Sequence, residues 1–90
     1  MIVKITDYGQ GHVNFVEYSV SELEIDQLNY LNENLEEETS INEDILLIKM
    51  YFGDELYPFQ SDVAKHRLED FIAREEIEMN IFLSSFLEDM

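Results

Sequence analysis

Two histidines, two adjacent serines, a Gly-x-Gly pair and 21 carboxylates are the side chains in this 90-residue sequence with chemistry to offer. His12 and His66 fall in different elements, and their spacing does not pair them on one metal ion. His66 has Asp62 at i−4 and Asp70 at i+4, the setting of a helical ion pair. Gly9-x-Gly11 lacks a third glycine, because Asn14 stands there, and a strand follows where a dinucleotide loop needs a helix. It reads as a turn. Ser84-Ser85 have no histidine near them in sequence to act as a base. The chain has no cysteine, hence no thiolate chemistry and no disulfide. The carboxylates do not follow the spacing of a calcium loop, and acid–base catalysis by a carboxylate pair needs a pocket that drives two pKa values apart. No catalytic, cofactor-binding or metal-ligating residue is expected, and the chain reads as a non-enzyme.

What the sequence concentrates is negative charge. Twenty-one acids face five bases, a formal charge of −16. Such a surface repels a phosphate backbone, so nucleic acid is not expected as a direct ligand. No apolar run approaches the roughly 20 residues of a membrane span. The N-terminus has no signal-peptide shape, so the cytoplasm is the expected compartment, that of a bacterial host cell if the gene is carried by phage. Between Lys4 and Lys49 there is no Lys or Arg, while Asp7, Glu17, Glu22, Glu24, Asp26, Glu33, Glu36, Glu37, Glu38, Glu43 and Asp44 all lie in that stretch. Solubility alone is served by mixed signs and a net charge of about 2–8.

The elements that must position these acids follow from periodicity. Ninety residues make one domain, 1–90. Residues 2–7 are rich in β-branched side chains, and 12–20 alternate, with Val16 and Tyr18 opposite Phe15 and Glu17; with the glycine turn between them they predict a β-hairpin. Ser21 with Glu24 three residues later has the form of a capping box, and Leu28, Leu31 and Leu35 form an apolar stripe, which predicts a helix over 22–36. The run 44–52 predicts a buried strand, with 55–59 as its short return strand, demoted to an edge by Pro58. Tyr51, Phe52, Tyr57 and Phe59 are expected to cover that sheet edge under the last helix. From Ser61, an N-cap candidate, no Gly or Pro follows, and Ala64, Leu68, Phe71, Ile72, Met79, Phe82, Leu83, Phe86 and Leu87 share one face. Glu75 interrupts that stripe. Either the helix breaks near Arg74-Glu75-Glu76, or its end pairs with another chain through Ile77 and Ile81. The fold class is α+β, ββαββα, an antiparallel sheet with helices packed on one face.

On that framework Glu22, Asp26, Glu33, Glu36 and Glu37 would share the helix face opposite the leucines. They would span about 22 Å, one charge per roughly 4–5 Å against about 3.4 Å per phosphate along a DNA strand. Glu38, Glu43 and Asp44 with Asp54 and Glu55 would supply a second row. Arg and Lys bind carboxylate much as they bind phosphate. In size, charge and its base-free stretch the chain resembles the small acidic phage-type inhibitors, among them anti-CRISPR and anti-restriction DNA mimics. That resemblance implies a basic nucleic-acid-binding protein as partner, such as a CRISPR effector or a restriction enzyme, and no cofactor. Two alternatives stand beside it: an immunity or antitoxin protein capping a basic nuclease toxin, and an adaptor forming a homodimer through its C-terminal helix.

Overall fold

Alternation decides the sheet. In the computed structural model, which describes the backbone of residues 1–9, 14–52 and 64–90 and the side chains of 1–9, 15–51 and 69–90, four strands form one antiparallel sheet. They are β1 (Ile2–Gly9), β2 (Asn14–Ser21), β3 (Glu38–Asn42) and β4 (Ile45–Phe52), in the order β1-β2-β4-β3. Helices α1 (Ile25–Asn34) and α2 (Ala64–Glu88) complete a β-β-α-β-β-α chain, so the α+β class is as the periodicity predicts. Val16, Tyr18 and Val20 of β2 and Leu46 and Ile48 of β4 are fully buried on the helix side. Their neighbours Phe15, Glu17, Leu47, Lys49 and Tyr51 point to the other face, half-buried or exposed. One face in the core and one toward water is the usual economy of an antiparallel sheet.

The core is closed by both helices. Leu28 and Leu31 of α1 and Phe71, Met79 and Leu83 of α2 are buried against the strands, and Tyr30 meets Phe86 with ring centroids 5.6 Å apart. Residue α2 Glu76 reaches across to the β1 edge, where its carboxylate accepts the Ile5 N–H at 2.8 Å. That contact lies beside the bulge between Ile5 and Asp7, and it occupies a donor on an otherwise open strand edge. Gly9 lies in close approach to Phe15, whose ring occupies the space a Cβ there would take.

Four expectations change. First, the second hairpin among the described residues is β3–β4, which the periodicity does not predict. Asn42 pairs with Ile45, Glu43 and Asp44 make the turn, and Glu38 to Ile41 pair with Lys49 to Leu46. The β3 sequence Glu-Thr-Ser-Ile-Asn carries too little apolar signal to announce a strand. It forms because the edge of β4 supplies hydrogen bonds, and because Thr39 donates its hydroxyl to the Asn32 side chain of α1 at 2.9 Å. The expected return strand 55–59 lies outside the described residues, as do Pro58, Tyr57, Phe59 and the Ser61 cap. Second, α1 is shorter than 22–36. Ser21 ends β2, Glu22 takes a left-handed φ of 57°, and Glu24 is the N-cap, its N–H donated to the Gln27 side chain at 3.0 Å. Leu35 is already extended at the C-terminal end, with ψ 139°. Third, α2 is one helix from Ala64 to Glu88, with no break at Arg74-Glu75-Glu76. Phe82 on it is half exposed rather than core. Fourth, Tyr51 does not lie under that helix; it is exposed on the open face of the sheet.

The turn carries a testable strain. Glu43 has a φ of 59°, where an L side chain costs about 1–2 kcal/mol relative to the right-handed region and glycine costs nothing. Glu43→Gly is therefore expected to stabilise the protein by about 1 kcal/mol in urea unfolding. An unchanged or lowered midpoint would show that the turn holds the side chain by contacts worth more than the strain.

Candidate partner-binding site

The shortened α1 redistributes the acids. Of Glu22, Asp26, Glu33, Glu36 and Glu37, only Asp26 and Glu33 lie on α1, seven residues apart and exposed. Glu22 sits in the β2–α1 connection, and Glu36 and Glu37 in the α1–β3 connection. The five-acid helical row therefore does not form. The reason is local: extended backbone at Leu35 ends the helix, and the chain runs on through Glu36 and Glu37 toward the sheet. The expected second row is described only in part. Glu38 is on β3, Glu43 and Asp44 make the turn, and Asp54 and Glu55 lie outside the described residues. His12 and the side chain of His66 lie outside them too.

Glu38 belongs to a different constellation, on the open face of the sheet. Lys49 of β4 stands opposite Glu17 of β2 on one side and Glu38 of β3 on the other. Its ammonium lies 4.9 Å from the centroid of the Phe15 ring. Opposite charges across strands and a cation over a ring each contribute a fraction of a kcal/mol to about 1. Tyr51 donates its hydroxyl to Glu38, and the carboxylate beside it raises the tyrosine pKa. Glu38 is thus partly engaged within the sheet.

The fold assembles something else that the sequence did not. A cavity of about 230 Å³ opens between the sheet, the end of α1 and α2. Tyr18, Ile48, Met50, Leu35, Met79 and Phe82 make it largely apolar, and Glu37, Glu75 and Glu78 bring three carboxylates to its wall. No Lys or Arg is among the described residues lining it. Tyr18 is fully buried, and its hydroxyl donates to the Glu75 carboxylate at 3.3 Å, long for an O–H···O bond. Burial first, then the charge and the hydrogen bond of Glu75, then the charges of Glu78 and Glu37, hold the Tyr18 phenol well above its ordinary pKa. The cause is plain: a phenolate there would be both dry and beside three anions. One signal for this site was present in the sequence, Glu75 as the single acid in an apolar stripe.

Among the described residues no three of His, Cys, Asp and Glu converge closely enough to hold a metal ion. No helix among them is long and apolar enough to cross a membrane. Ile77 and Ile81, the residues expected to pair with another chain, are each 61% exposed on the flank of α2.

A protein-family model described as a family of unknown function (DUF5750) matches residues 2–89. The chain belongs to that family. The match spans every element of this DUF5750 chain from the start of β1 to the end of α2, so the acidic connections and the cavity both fall inside the family's domain. Curated proteins show no match to it.

Proposed function

We propose that this chain is a non-catalytic acidic binding domain that occupies the basic nucleic-acid-binding surface of another protein, in the manner of the small acidic inhibitors that it resembles. The observation that supports this reading is the exposure of its carboxylates. Of the eleven acids between Lys4 and Lys49, all but the half-buried Glu17 are exposed. Eight of those ten lie in the connections on either side of α1, on α1 itself and at the β3–β4 turn, with Asp7 on β1 and Glu38 on β3, which makes an acidic surface rather than a single row. Long-range attraction to a cationic groove needs charge density and sign, and a surface supplies both without a helical register. Arg and Lys of the partner then exchange phosphate for carboxylate as hydrogen-bond acceptor.

The test is capture followed by competition. The tagged chain retains a nucleic-acid-binding protein from the organism that encodes it, and the purified chain displaces labelled DNA or RNA from that protein. The affinity falls by about tenfold or more between roughly 50 and 200 mM salt. Replacing Glu33, Glu36, Glu43 and Asp44 by their amides weakens capture and flattens the salt dependence without lowering the melting temperature. Unchanged affinity of that variant, or a partner that keeps its nucleic acid when the chain binds, rejects the reading.

A further inference from the structure

The cavity between the sheet and α2 has a lining that specifies its occupant. We propose that it is a binding site for a single arginine side chain, its aliphatic stem against Leu35, Ile48, Met50 and Met79 and its guanidinium among Glu37, Glu75 and Glu78. The inference rests on the reading above for the source of that side chain, the basic partner, but not for the existence of the site.

Three features converge. The volume, about 230 Å³, is below the roughly 300–1,000 Å³ of pockets for drug-sized ligands and suits one long side chain. The apolar part of the wall matches an alkyl stem, which long cationic side chains bury while keeping the charged head near a polar rim. Two methionines in that wall can shift to accommodate it. The polar part has the opposite sign to the occupant: Glu37 and Glu78 are exposed and Glu75 half-buried, and the described lining holds no cation of the protein's own. Guanidinium is favoured over ammonium for two reasons. Its planar fork can meet two carboxylates at once, and it stacks on aromatic faces such as that of the half-exposed Phe82.

The experiment is a methyl- and amide-detected NMR titration of the full chain with N-acetyl-arginine-methylamide, run beside the citrulline analogue, which keeps the shape and loses the charge. The arginine compound is expected to give saturable shifts centred on Tyr18, Ile48, Met50, Met79 and Phe82. Citrulline should bind about fivefold or more weakly, and Glu37→Gln and Glu78→Gln should each weaken arginine by about two- to fivefold. Both are exposed substitutions, and retained amide dispersion shows that each variant is folded. Asp89→Asn, exposed and not part of the cavity lining, should change nothing. Equal binding of citrulline, or arginine shifts scattered over the acidic surface and indifferent to Glu37→Gln and Glu78→Gln, overturns the site. Because this titration contains no partner protein, its failure is distinct from failure of the competition assay.

Discussion

Leu83→Ala lowers the free energy of unfolding by about 2–5 kcal/mol. Leu83 of α2 is fully buried, in the same cluster as Val16, Tyr18, Val20, Leu46 and Ile48. Truncation removes its transfer energy and leaves a void that two strands held in register cannot collapse to fill. A domain of this size has about 5–15 kcal/mol in total, so the substitution consumes a large fraction of it. Urea unfolding followed by circular dichroism reads the loss directly. Leu83→Met, which conserves volume, should cost less than about 1.5 kcal/mol and keeps the comparison measurable if the alanine variant is partly unfolded. A loss below about 1 kcal/mol for the alanine variant would mean that α2 is not packed on the sheet through this residue.

The second large effect concerns Tyr18 and Glu75. Glu75→Ala leaves a fully buried hydroxyl without its acceptor, at a cost of about 1–3 kcal/mol. Tyr18→Phe is milder, because the half-buried Glu75 can turn to water. In the Tyr18→Phe background, Glu75→Ala should lose most of its cost, which a double-mutant cycle measures. The pair also predicts the alkaline limit of stability. The folded-state pKa of Tyr18 lies above the unfolded value of about 10, so above that pH the unfolded chain releases a proton that the folded chain retains. The stability from this group is therefore whole below about pH 10 and declines as pH rises through the folded-state pKa. The slope approaches about 1.4 kcal/mol per pH unit between the two values. Tyr18→Phe should remove that slope, and absorbance titration of the wild type should show one tyrosine that ionises only with unfolding. A Tyr18 that ionises with the exposed tyrosines while the protein stays folded would contradict the burial.

The way the acids are deployed shows where periodicity stops informing. The leucine stripe of α1 was legible because Leu28, Leu31 and Leu35 repeat at helical spacing, and Leu28 and Leu31 are indeed buried. The same wheel placed Glu36 and Glu37 on the helix, and they are not there. A solvent-facing residue has no burial to lose if the helix ends early, so a row of exposed acids carries no information about helix length. For the same reason Ser21 resembled a cap: a serine before a stripe serves equally as the end of a strand.

The sequence by itself determined the α+β class, the first hairpin with the two faces of β2, the helix α1 with its inward leucines and the strand β4, since each follows from apolar repeats within one segment; whether α2 is one helix or two it left open. It also determined the acidity of the stretch from Lys4 to Lys49. Tertiary structure decided what pairs at a distance. β3 is a strand because the edge of β4 is beside it, Lys49 is set between Glu17 and Glu38 by register, and Glu75 meets a tyrosine 57 residues away in the chain. None of these partnerships leaves a local repeat. Each depends on a hydrogen-bonding edge or a dry interior that exists only once the sheet and α2 have come together.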